Sequence, residues 1–298
     1  MKSLSVITFL LFFLTTAYSQ TTVKVSQILN NESNFAALVS QKGLKKAFLK
    51  VSDKKTIVFR PEPVSAVKYY RNQPDSLGYM SWEPEFARIS KSLDWGFSTG
   101  PFIFKETVDG PAKYYGTYVS IWKKNDKGKW KLAVDLGVSH KKPAKKGAMN
   151  FANPVDEKFV HQRSKNRLQQ REDIVFSSDK LLSTIEKANN KIAMNEFLSE
   201  NCRLILPDYE PIIGKKAIMD FWAKKDFREN STPLKVDRAY SGEFAFTQGD
   251  ATIYTKLGPK KYHYIRIWEV QPGYKWNIIL QIYSEAGEVA PKEKEIEN

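Results

Sequence analysis

The chain has 298 residues, 42% of them hydrophobic and 13% aromatic, and carries a formal net charge of +14. Length and apolar content suit two domains of ordinary size, each with its own core. The single cysteine, Cys202, excludes an internal disulfide and a zinc-finger-type metal site.

Met1-Lys2, the apolar run Leu4 to Leu14 and the small-x-small site Ala17-Tyr18-Ser19 read as a signal peptide over 1–19. The expectation is export to a periplasm or the extracellular space. That run is too short to span a bilayer comfortably, and no later stretch is better, so no transmembrane anchor is expected. Helical spacing covers Ser33 to Lys50, with a break at Gly43. A strand over Thr56 to Arg60 stops at Pro61 and Pro63, and a short helix follows from Val64 to Arg71. Strands are then predicted over Ala87–Ile89, Leu93–Ser98, Phe102–Thr107, Tyr114–Lys124 and Trp130–Val138, with a hairpin turn at Asn125-Asp126-Lys127-Gly128.

Residues 141–171 read as a basic linker containing Lys141-Lys142-Pro143-Ala144-Lys145-Lys146. The aromatics lie in predicted strands and the lysines in loops, which is not the interleaving that specific nucleic-acid binding needs. The excess charge reads as solvated surface or contact with an anionic cell envelope. A second helix is predicted over Asp179–Leu198, capped by Ser178 or Asp179, then a strand over Cys202–Leu206 and a helix over Gly214–Lys224. Strands follow over Leu234–Ser241, Glu243–Gln248, Ala251–Leu257, Lys261–Val270 and Trp276–Tyr283, and 286–298 is a polar tail. Cys202 reads as a small buried residue, with a catalytic thiol as the alternative.

The second series repeats the first about 146 to 149 residues later. Trp95-Gly96-Phe97-Ser98-Thr99-Gly100 returns as Phe244-Ala245-Phe246-Thr247-Gln248-Gly249, and Tyr118, Trp122 and Trp130 return as Tyr264, Trp268 and Trp276. Two copies of one domain are expected, over 28–140 and 172–285. Helices followed by a run of antiparallel strands indicate an α+β fold, and a curved sheet under helices leaves a cone whose mouth is a ready pocket.

Each copy resembles a SnoaL-like domain of the nuclear transport factor 2-like superfamily. The resemblance rests on Phe59-Arg60-Pro61, on Ser92 to Pro101, on Gly116 to Trp122 and on Gly128 to Gly137, and in the second copy on Gly249, Trp268 and Trp276. It implies two tandem cone-shaped domains, each with N-terminal helices packed on a curved antiparallel sheet, and frequent dimers. Two copies in one chain could thus form a pseudo-dimer, or the chain could form a homodimer. It also implies pockets that serve acid/base chemistry or simply binding.

Asp94, whose repeat counterpart is Glu243, is a candidate general base if the cone desolvates it; the alternative is an acid that fixes a turn. Tyr118 and Trp122 share one strand face by the two-residue period, as do Tyr264 and Trp268, and are candidates for a pocket lining or an aromatic core. Trp82 is placed at the cone mouth and Trp95 beside Asp94. Asp135 and His140 lie along and beyond the last strand of the first copy, so an Asp94–His140 or Asp135–His140 pair is a further candidate. No phosphate loop, metal-ligand cluster or nucleophile elbow is present, so neither metal nor cofactor is expected. The functional expectation is an exported protein binding a small, largely apolar molecule, with the first copy the likelier active pocket. The alternatives are an acid/base enzyme of isomerase, cyclase or hydratase type using Asp94, and a noncatalytic envelope interaction module.

Overall fold

The structure, a computed structural model, describes residues 24–162 and 164–287. The expected signal peptide lies outside the described residues, as does all but the start of the polar tail. The first half comprises α1 (Ser26–Val51), β1 (Ile57–Phe59), β2 (Pro63–Ser65), α2 (Ala66–Arg71), β3 (Tyr79–Trp82), β4 (Phe86–Ile89), β5 (Trp95–Lys105), β6 (Ala112–Lys124), β7 (Trp130–His140) and β8 (Asn150–Ala152). The second half comprises α3 (Lys165–Ala188), α4 (Asn190–Phe197), β9 (Leu198–Ile205), β10 (Ile212–Ile213), α5 (Lys215–Lys225), β11 (Arg228–Arg238), β12 (Phe244–Thr255), β13 (Gly258–Gln271) and β14 (Lys275–Glu285). None of the described helices is long and apolar enough to cross a membrane.

The two sheets share one plan. The first runs β2-β1-β7-β6-β5-β4-β8, with β3 also on β5, and the second runs β10-β9-β14-β13-β12-β11. In both, a short strand after the first helices pairs parallel to the last strand, β1 on β7 and β9 on β14, and the other ladders are antiparallel apart from β4 on β8. This is the α+β architecture expected from helices preceding strands, made twice. Ladder register fixes the equivalences: Ser120 faces Asp135 as Arg266 faces Gln281, and Tyr118 faces Gly137 as Tyr264 faces Tyr283.

α1 is interrupted at Gly43 as expected, where φ 79° makes a kink between two helical stretches that only glycine tolerates cheaply. Other elements differ from the sequence reading. β5 and β12 are each one long strand, not two. Pro101 keeps its place in β5 because its carbonyl accepts Glu83 N–H, so its missing donor faces that crossing and not β6. A Cβ at Gly100 would strike the Glu83 carbonyl, and one at Gly249 the Thr232 carbonyl, so both copies need glycine where an edge segment crosses the long strand. The linker contributes β8, which extends the first sheet beside β4. Asp179 does not cap a helix: α3 begins at Lys165, and Asp179 lies fully buried on its inner face. That face is Val175, Asp179, Leu182, Ser183 and Glu186, spaced as a helix requires but polar at three of five positions, so apolar periodicity could not reveal it. The helix breaks at Asn189, whose side chain accepts Ile192 N–H and starts α4.

Alternation along the strands gives each sheet two apolar faces. The concave faces close over α1–α2 and α3–α5 in two separate cores. The convex faces pack against each other, with Phe97, Val119, Ile121, Leu136 and Val138 meeting Phe244, Phe246, Ile265, Ile267 and Ile282 in a third core. Trp95 stacks on its own counterpart, Phe244, at 5.8 Å and 13°. The two halves thus meet sheet to sheet about an approximate two-fold axis.

Candidate functional site

The first cone encloses a cavity of about 400 Å³. Its walls are apolar and aromatic, with Phe35, Phe48, Met80, Trp82, Phe102 and Tyr114 among them. Polar groups come from a few positions: Tyr118 and Ser120 on β6, Asp135 and Ser139 on β7, Arg60 after β1 and Tyr70 on α2. Strand parity explains the set. Residues 118 and 120, and 135, 137 and 139, point into the cone, while Val119, Ile121, Leu136 and Val138 point to the other half.

Asp135 is 7% exposed. It accepts Ser120 Oγ–H at 3.2 Å and lies 3.4 Å from Arg60 Nη2. Burial pushes its carboxyl up, and Arg60 and Ser120 oppose that without cancelling it. Arg60 also donates to Tyr70 Oη at 2.8 Å and to the Phe59 carbonyl at 2.7 Å. Burial disfavours the guanidinium charge, but Tyr70 and Asp135 outweigh it and hold the proton more firmly. Burial raises the Tyr70 phenol to about 12. Tyr118 is buried too, and burial holds its phenol well above the ordinary range. Its Oη is buried against the protein on the side of Ser98.

Behind this wall lies Glu32 of α1, 1% exposed. It accepts Trp82 Nε1–H at 2.8 Å, Trp122 Nε1–H at 2.6 Å and Ser98 Oγ–H at 2.6 Å. Burial raises its carboxyl against those three hydrogen bonds. Glu32 thereby orients Trp82, which forms part of the cavity wall.

In the second cone the equivalent space is occupied. Arg266 stands where the first copy has Ser120, and Tyr283 where it has Gly137; both are fully buried. Arg266 bonds Asp179 at 2.5 Å, Glu229 at 2.8 Å and Glu186 at 3.1 Å. Tyr264 Oη donates to Asp179 at 2.9 Å, and Tyr283 Oη lies 2.9 Å from both Glu229 oxygens. Burial, reinforced by Glu186, raises the Glu229 carboxyl to about 8.

Of the residues singled out in the sequence, Trp82, Tyr118 and Asp135 come together around the first cavity. Trp122 sits behind them on Glu32, and Trp95 lies in the core between the halves. Asp94 is at the turn before β5, where it accepts Ser90 and Ser92 hydroxyls and Tyr240 N–H at 3.3 Å; its counterpart Glu243 accepts Lys91 N–H at 2.5 Å. His140 is on the opposite strand face from Asp135, with Nε2 2.8 Å from Thr117 Oγ1 and Nδ1 2.7 Å from the Lys141 carbonyl. Tyr264 and Trp268 belong to the filled cone, where Trp268 Nε1–H donates to Thr247 at 2.8 Å. Cys202 is fully buried, and burial raises its thiol far above reactivity at neutral pH. Arg60 and Glu32 escaped the sequence reading. Arg60 stood inside a structural motif, and Glu32 lay one residue before the expected helix start.

Comparison with solved structures finds nuclear transport factor 2-like proteins. A protein of this kind from Cytophaga hutchinsonii is 15% identical and matches over 38% of this chain and 97% of its own, with a TM-score of 0.33. A ketosteroid isomerase-like protein from Erwinia carotovora atroseptica is 12% identical over 42% of this chain and 99% of its own, at 0.33. A nuclear transport factor 2-like superfamily protein from Salmonella enterica is 15% identical over 42% and 97%, also at 0.33. The chain resembles these proteins in fold. No protein-family model matches the sequence, and no curated protein does.

Proposed function

We propose that the protein binds a small, largely apolar molecule in the first cone, with one polar end of that molecule held by Tyr118, Ser120, Asp135 and Arg60. The observation that carries this reading is the contrast between the copies. At equivalent positions the first copy has Ser120 and Gly137 around a cavity of about 400 Å³, and the second has Arg266 and Tyr283 filling it. The volume is in the range of small-molecule sites, and Ser120, Asp135 and Arg60 place polar groups on its wall. The second half then serves as the fixed partner that the first half packs against.

The test uses 2-naphthol, an apolar body with one hydroxyl, followed by tryptophan fluorescence and calorimetry. Gly137→Tyr, which copies the second cone, should abolish binding while the protein stays folded. Undiminished binding by that variant would place the ligand elsewhere and remove the reading.

A second reading is proton transfer, supported by the raised carboxyl of Asp135 in an apolar cavity. Under it Asp135, not Asp94, faces the substrate. We also propose that the chain is exported after loss of residues 1–19; N-terminal sequencing of the native protein should find Gln20 first.

A further inference from the structure

A second and larger cavity, about 580 Å³, lies in the cleft where the linker passes between the halves. Its floor is apolar: Phe86, Phe102 and Ile103 from the first half, Ile205, Pro211 and Ile213 from the second. Its wall is the linker segment 142–147, closed at one end by Arg203 of β9. Two contacts pin that segment to the first half. Lys146 Nζ donates to Glu83 at 2.7 Å, and Gly147 N–H donates to Glu85 at 2.9 Å. Lys142 and Lys145 are exposed and have no ion-pair partner among the described residues. Lys142 reaches over the Tyr115 ring at 5.8 Å. Arg203 lays its guanidinium over Phe86 at 4.2 Å, and its Nε is buried with no hydrogen-bond partner.

The cleft therefore combines an apolar trough with cations at its edge. Three carboxylates also line it: Glu83 is paired with Lys146, while Glu85, which accepts Gly147 N–H and faces Arg203, and Glu210 stand against Lys142, Lys145 and Arg203, so one positive charge is in excess. A polyanion would lay charge on the apolar floor, where nothing replaces its lost water. A neutral apolar molecule would leave the lysines unused. A slender apolar chain with one anionic head satisfies both parts of the cleft.

We propose that this cleft is a second binding site, for a long-chain fatty acid whose carboxylate meets Lys142 and Lys145 and whose acyl chain lies along Phe86, Phe102, Ile103, Ile205, Pro211 and Ile213. The site is separate from the cone, with Trp82 and Phe102 forming part of the wall of each. It depends on the tandem arrangement, since the linker and both halves build it.

The experiment titrates the whole protein with dodecanoate by calorimetry, alongside dodecyltrimethylammonium, which has the same tail and the opposite charge. Dodecanoate should bind and the ammonium should bind at least about tenfold more weakly. Lys142→Glu with Lys145→Glu should weaken dodecanoate by about tenfold or more and improve the ammonium. Ile213→Glu, at a position already 53% exposed, should also weaken dodecanoate without disturbing a core. Circular dichroism should show all variants folded. Leu77→Trp, which narrows the cone at a residue that does not line the cleft, should leave dodecanoate binding unchanged. No dodecanoate binding, equal binding of the two amphiphiles, or indifference to the lysine reversals would overturn the proposal. Loss of dodecanoate binding in Leu77→Trp with retention in the lysine variants would assign the fatty acid to the cone, overturning the cleft while leaving the cone reading intact.

Discussion

Ser92 and Ser241, 149 residues apart, bond each other reciprocally: their hydroxyls are 2.7 Å apart, Ser92 N–H donates to Ser241 Oγ at 3.1 Å, and Ser241 N–H donates to Ser92 Oγ at 3.0 Å. Residue i meets its own repeat counterpart and the contact is returned, which is the signature of an isologous interface. The neighbours obey the same rule. Lys91 N–H goes to Glu243, and Tyr240, the counterpart of Lys91, sends its N–H to Asp94. The approximate two-fold axis passes through this pair of turns, between two domains of one chain.

The shared third core should make the halves unfold together. Thermal or urea unfolding is expected to show one transition, and light scattering is expected to give the mass of one chain, because the convex sheet faces are already used internally. Phe244→Ala should remove the stack on Trp95 and leave a cavity, costing about 3–5 kcal/mol and lowering the midpoint for both halves. Two resolved transitions, with only one of them shifted, would contradict this.

Asp94→Asn tests a role at the turn against a role in chemistry. Asp94 holds two serines and a backbone N–H of the other half, so the substitution should cost on the order of 1 to 2 kcal/mol of stability and leave 2-naphthol binding in the cone unchanged. A stable variant that lost binding or turnover would return Asp94 to the site.

Much of this architecture was legible in the chain. The repeat, the order of helices and strands, and the shared strand face of Tyr118 and Trp122 follow from spacing alone. What was not legible depends on which face of each strand becomes interior. Asp94 and Trp95 sit beside an aromatic strand in both possible worlds, and only the packing of convex sheet on convex sheet sends them to the axis. Asp135 and His140 are near in sequence, yet an odd separation along β7 puts them on opposite faces. Glu32, Asp179 and Glu186 look like solvent-facing helix residues, because a buried carboxylate is readable only when its donors, Trp122 or Arg266, are known to be opposite. The pairing of Ser120 with Arg266 and of Gly137 with Tyr283 was present in the repeat, but its meaning for volume required the cavity.

Asp135→Asn should separate charge from shape in the first cone. The amide keeps the contact with Ser120 but removes the charged acceptor, so 2-naphthol should bind about five- to tenfold more weakly with folding retained. In the parent protein the same loss should appear on acidification, as the carboxylate takes up a proton at a pH above its ordinary value. Calorimetry across acidic pH would check both; equal, pH-independent affinity in parent and variant would take Asp135 out of the site.

The filled cone makes the sharpest pH prediction. Arg266 faces Asp179, Glu186 and Glu229, one cation among three buried carboxyl groups, and Glu229 is raised from an ordinary 4.5 to about 8. In that window the folded chain keeps a proton on Glu229 that the unfolded chain releases. Stability from this group is therefore full below about 4.5, falls as pH rises toward about 8, and levels off above it, with a slope of at most about 1.4 kcal/mol per pH unit. Glu229→Gln mimics the protonated acid and removes this group's part of the slope, leaving that of Glu186. Urea unfolding of both proteins from acidic to alkaline pH should find them close at the acid end and the glutamine variant more stable by a kcal/mol or more at the alkaline end. Arg266→Met, by contrast, strands the carboxylates and should cost about 3–5 kcal/mol at neutral pH. A stability difference between Glu229→Gln and the parent that did not change with pH would mean that Glu229 is ionised in the folded protein and that the network is balanced in some other way.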